Sequence, residues 1–134
     1  MHGFPSGSIW SADDEISIQI REVYSRYGLA MYHAQVLEHG MANAAIVLHM
    51  LPTASQYPNR IEWVEALDSA FNSELSKTFG NMLKALSSSE LPKTIIDGLG
   101  RAKVVRDHLA HRFFREHDQN FFGISGREKM ISEC

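Results

Sequence analysis

Apolar and small residues recur at Ile16, Ile20, Val23, Tyr27, Ala30, Ala34, Leu37, Met41, Ala44, Leu48 and Leu51, in steps that alternate four and three. That is heptad spacing, and it predicts one long helix packed along its length. Ser11 suits its N-cap, with Asp14 three residues on. Asp13, Asp14 and Glu15 favour the positive end of the helix dipole. Pro52 marks the stop. Gly28 and Gly40 lie inside the segment, and each costs about 1 kcal/mol relative to Ala. They predict close approach of another helix, or a break at Gly40.

Residues 52–59, with two prolines and several small polar residues, read as a loop. A second apolar stripe follows at Val64, Leu67, Phe71, Leu75, Phe79, Met82 and Leu86, ended by Ser87–Ser89. Pro92 suits the first turn of a third helix. Its core face is Ile95, Leu99, Ala102, Val105, Leu109 and Phe113, with Gly98 and Gly100 weakening its early part. A short fourth helix is predicted near Ser125, with Glu128 completing a capping box. No segment alternates like a strand, and there is no internal repeat. The pattern predicts an all-α, up-and-down helical bundle with one long first helix and a short last helix. Residues 1–10 read as a flexible N-terminal segment and residues 11–134 as a single domain. So short a fourth helix leaves the bundle poorly covered, and a homodimer would bury the long first seam.

Composition adds limits. The chain has 134 residues, 44% of them hydrophobic and 22% charged. This is ordinary globular usage, enough for a core without staples. The one cysteine, Cys134, excludes a disulfide framework and fits a reducing, cytoplasmic setting. No stretch reaches the ~18 apolar residues of a membrane helix, and the first ten residues do not read as a secretory signal. The net charge of −3 is unevenly spread. Residues 1–90 hold five Lys/Arg against ten Asp/Glu, whereas residues 91–134 hold eight against six. His108, His111 and His117 share that basic last third.

The densest polar run is Arg106-Asp107-His108-Leu109-Ala110-His111-Arg112-Phe113-Phe114-Arg115-Glu116-His117. Asp107 and His111 are four apart, so one helix face carries both and a hydrogen bond is within reach. An Asp that accepts from one imidazole nitrogen fixes the tautomer and raises the basicity of the other. Arg106 is five residues from His111, about 140° around a regular helix. The two converge only if the helix deforms or if two subunits contribute. A histidine moves a proton near neutral pH, and an arginine holds phosphate oxygens in a planar fork. Such a kit cleaves RNA without a metal: the base takes the 2′-OH proton, the oxygen attacks the phosphate, and the guanidinium stabilises the developing charge. His108 and His111, three apart, would need a third ligand for zinc, and neither a Cys pair nor an HExxH pattern supplies one. No metal or cofactor is therefore assigned. Phe113 and Phe114 read as core and interface residues rather than a base-stacking platform. A surface network without chemistry fits the same residue types.

The run Arg106-Asp107-His108-Leu109-Ala110-His111 resembles the signature of the HEPN domain superfamily (higher eukaryotes and prokaryotes nucleotide-binding): an Arg, four to six residues, then a His, with a polar residue after the Arg. The following run from His111 to Glu116 is similar to that of some bacterial HEPN-like proteins, as are Tyr27-Gly28, Ala34–Glu38 and Lys77–Gly80. The resemblance spans roughly residues 15–134 and implies a helical bundle, a homodimer, and Arg/His motifs of both subunits in one cleft. It implies a metal-independent endoribonuclease of toxin or phage-defence type, acting on RNA or a nucleotide, with an antitoxin protein as a possible partner. Arg106 and His111 would be the catalytic pair and Asp107 the polar accessory. His108, Arg112 and Arg115 have no fixed role in that family and are expected here to contact substrate phosphate. The chain departs from such proteins in its early stop within the last helix and in its overall acidity. Both leave open a non-catalytic HEPN-like helical module that binds a nucleotide or a protein partner.

Overall fold

The computed structural model describes residues 14–134. The expected N-terminal segment, residues 1–10, and the Ser11 cap lie outside the described residues. Among those described, every regular element is helical. None of the helices is long and apolar enough to cross a membrane.

Helix α1 spans Glu15–His49, close to the heptad seam that predicts it. Its cap is Asp14, whose carboxylate accepts the Ser17 N–H and the Ser17 hydroxyl, each at 2.9 Å. Those two bonds hold the Asp14 carboxyl below its ordinary value. A 3-10 helix, Leu51–Gln56, follows with Pro52 in its first turn. Helix α2 is Arg60–Leu75 and α3 is Phe79–Ser87. The sequence stripe reads these two as one helix. The chain instead stops at Ser76 and restarts at Thr78, whose hydroxyl accepts the Asn81 N–H. A second cap, Asn59, does the same for Glu62 at the start of α2.

Helix α4 is Lys93–His111, α5 is the single turn Phe113–Glu116, a 3-10 turn covers Asn120–Phe122, and α6 is Ile124–Glu133. The predicted third helix thus breaks at Arg112, whose φ of −126° and ψ of −30° leave the helical region. Helix α6 starts from Gly123 rather than Ser125, so the expected capping box is not used.

The described residues group into two compact units: residues through Tyr32 with Asp107–Cys134, and His33–Arg106. In the second unit Met41, Ala42, Ala45, Phe79, Met82 and Leu86 form the core, with Ile96, Leu99 and Ala102 packed against it. Ile95 and Val105, expected on the core face of α4, are exposed. In the first unit Val23, Leu109, Phe113 and Met130 are buried, with Tyr27, Ala30, Met31, Phe121 and Ile131 around them. Phe113 is fully buried because the break at Arg112 re-aims the chain after α4. Gly28 and Gly40 have nothing within 4 Å of a Cβ built there, so neither marks a helix contact. Gly126 does: a Cβ there would lie 2.1 Å from the Asn120 carbonyl oxygen.

Candidate functional site

The end of α4 is built by the break at Arg112. The last carbonyls of a helix lack intrahelical partners. Here the Tyr27 hydroxyl donates to the Leu109 carbonyl at 3.1 Å, and the Arg112 N–H bonds the His108 carbonyl at 2.9 Å. Leu109 and Phe113 anchor either side of the break in the core. His111, Arg112 and Arg115 are thereby left exposed.

The histidines of this region divide by partner. His117 is only 4% exposed. Its Nε2 lies 2.7 Å from Oε2 of Glu133, and its Nδ1 lies 2.9 Å from the Asn120 side-chain amide. A carboxylate only accepts, so His117 gives its Nε2–H to Glu133. The other oxygen of Glu133 receives His108 Nε2 at 3.1 Å. His108 Nδ1 faces Glu116 at 3.6 Å. Burial pushes the Glu133 carboxyl upward, but hydrogen bonds from His108 and His117, together with their charge, outweigh it and leave the group below its ordinary value. One carboxylate thus ties α6 to α4 and to the turn after α5. His108, expected to contact substrate, is held in this network.

His111 differs. Its imidazole is exposed and is held by no hydrogen bond or ion pair among the described residues. The hydrogen bond that the spacing allows from Asp107 does not reach the exposed His111 ring. Asp107 itself is half-buried. Arg112 and Arg115 are likewise exposed and carry no ion pair with a described residue.

Arg106 belongs to the second unit. Its Nε lies 3.2 Å from Oε1 of Glu38 on α1, an ion pair by distance without a hydrogen-bonding angle. Both side chains are about three-quarters buried. Glu38 sits in the run Ala34–Glu38 that the sequence singles out, but its role as the partner of Arg106 has no local signature.

Among the described residues no group of three or more His, Cys, Asp or Glu is arranged to hold a metal ion. The Glu133 clasp escapes sequence reasoning, since His117 and Glu133 are 16 residues apart with a 3-10 turn between them. Comparison of the chain with family models, with curated proteins and with solved structures finds no match.

Proposed function

We propose that the protein is a HEPN-like, metal-independent endoribonuclease of toxin or phage-defence type that works as a homodimer. The observation that carries this reading is the state of His111. It ends α4, stands in solvent, and is free of the Glu133 network that holds His108 and His117. A proton-transfer group must reach its substrate. Arg112 and Arg115 beside it, without acidic partners among the described residues, suit a phosphate backbone.

In this mechanism His111 takes the proton of a ribose 2′-OH. The oxygen attacks the adjacent phosphorus, the bond to the 5′-oxygen breaks, and an acid returns a proton to that oxygen. The products are a 2′,3′-cyclic phosphate and a 5′-hydroxyl. A second His111, from the other copy, supplies the acid, since one imidazole cannot begin the reaction in both protonation states. Arg106 stabilises charge on the phosphoryl oxygens. Asp107 orients His111 once RNA is bound, and a cognate antitoxin would cover the same end of α4. Val104 and Val105, exposed just before Arg106, suit burial against the second copy.

The test is incubation of purified protein with RNA in EDTA. The expected result is cleavage with cyclic-phosphate ends, lost on His111→Ala and on Arg106→Ala with dimer and helical content retained. Intact RNA at high protein concentration overturns the reading.

A further inference from the structure

Six aromatic rings of the first unit form one connected set. Tyr27 and Tyr24 on α1 meet Phe114 at 4.9 and 6.1 Å between centroids. Tyr24 meets Phe121 at 5.8 Å, Phe114 meets Phe121 at 6.5 Å, and Phe121 meets Phe122 at 6.3 Å. Phe113 closes the set from below, 5.2 Å from Phe114. Two of the rings keep exposed area: Phe122 is 84% exposed and Phe114 37%. An exposed phenylalanine forgoes its burial, so a row of such rings is a surface that expects a partner.

The charges beside the rings say which partner. Arg112 and Arg115 flank Phe113 and Phe114 in sequence, are exposed, and have no acidic partner among the described residues. Three acids of the same unit have partners of their own. Glu116 faces His108, Glu133 holds His108 and His117, and the Asp118 carboxylate accepts the Gln119 N–H at 2.7 Å. Exposed aromatic faces beside unpaired guanidinium groups match a ligand with both flat rings and anionic links. Single-stranded nucleic acid is that ligand: its bases stack on aromatic side chains and its phosphates meet the cations. A duplex keeps its bases stacked on each other and has no face to offer.

We infer that Phe122 and Phe114 form a base-stacking platform for single-stranded RNA, with Arg112 and Arg115 on its phosphates. This rests on the ribonuclease reading for the identity of the ligand as RNA and deepens it by naming the strand state and the groups that hold the bases. Phe113 remains a core residue, whereas Phe114 serves both core edge and platform.

The experiment uses the full chain carrying His111→Ala, so that RNA stays intact, and a fluorescent single-stranded oligouridylate at two salt concentrations. Adding Phe122→Ala is expected to weaken binding about 5- to 100-fold, the range for one stacked base. Phe122→Trp is expected to retain it, and Arg115→Ala to reduce both affinity and its salt dependence. Duplex RNA of the same length is expected to bind weakly and equally with and without Phe122. Because Phe122 lies in solvent, its replacement leaves the fold intact, and a melting curve checks this. Equal oligouridylate affinity in the Phe122 variants overturns the platform. So does loss of anionic-vesicle binding or of a protein complex on Phe122→Ala without change in RNA affinity. The two readings separate cleanly. Phe122-dependent binding without cleavage by the native chain sinks the nuclease alone. Cleavage with Phe122-independent affinity sinks the platform alone.

Discussion

The buried imidazole of His117 gives its Nε2–H to the Glu133 carboxylate at 2.7 Å, one residue from the end of the described chain. The same carboxylate accepts from His108 at 3.1 Å. Two histidines from different elements therefore share one anion contributed by the last turn of α6. Removing that anion leaves a buried N–H without an acceptor, which costs about 1–3 kcal/mol. Glu133→Ala is expected to lower the melting temperature by roughly 3–10 °C in calorimetry. An unchanged Tm would show that α6 is held by its apolar face alone.

The same pair sets a pH dependence. The Glu133 carboxyl lies below its ordinary value of 4.5 in the folded chain. A carboxyl whose folded value is depressed contributes stability that is present above its unfolded value and lost as pH falls through the folded one. Denaturant midpoints are therefore expected to fall below about pH 4.5 more steeply for the native chain than for Glu133→Gln. Parallel curves would mean that the histidines do not stabilise the carboxylate.

How much of this was legible in the sequence differs by element. The heptad seam predicts α1 almost to its ends, because the regular burial of one face is what both pattern and helix express. The stripe from Val64 to Leu86 keeps helical spacing through Ser76–Thr78 and so conceals the break there, which is decided by the Thr78 cap. In α4 the predicted stripe holds at Leu99, Ala102 and Leu109 but fails at Ile95 and Val105, which are exposed, while Ile96 packs on the core instead. The motif run was visible as a run. Its sorting into an exposed His111 and a captured His108 was not, since it depends on Glu133, twenty-five residues from His108.

Gly126 is a close-approach glycine, and Gly28 is not. A methyl group at Gly126 would meet the Asn120 carbonyl oxygen at 2.1 Å, backbone against backbone, so α6 or the preceding 3-10 turn must shift. Gly126→Ala is expected to destabilise by several kcal/mol, in the range of severe overpacking. Gly28→Ala, in a helix interior with open space around it, is expected to stabilise by about 0.5–1 kcal/mol. Urea titrations of the two variants should move in opposite directions.

Thr78 supplies the break that divides α2 from α3. Its hydroxyl accepts the Asn81 N–H at 3.2 Å while its own backbone is extended. Thr78→Ala is expected to cost about 1 kcal/mol and Thr78→Ser much less, since serine caps equally well. If Thr78→Ala were neutral in thermal unfolding, the break would owe its place to the burial of Phe79 rather than to the cap.

The strongest separation of chemistry from structure lies between His108 and His111, three residues apart on α4. His108 is bound to Glu133 and faces Glu116, so its imidazole is part of what holds α6 in place. His111 stands in solvent without a partner among the described residues, so its removal is expected to take nothing from the fold. His111→Ala is therefore expected to leave the melting temperature unchanged and to lower RNA cleavage by about 10²- to 10⁴-fold, the usual worth of a general acid or base. His108→Ala is expected to do the reverse: a lower Tm, with cleavage reduced only as far as the fold is loosened. Measuring both quantities on both variants distinguishes a catalytic His111 from a helix end whose histidines serve only the fold. Should cleavage survive in His111→Ala and vanish in His108→Ala, proton transfer belongs to the imidazole that Glu133 orients.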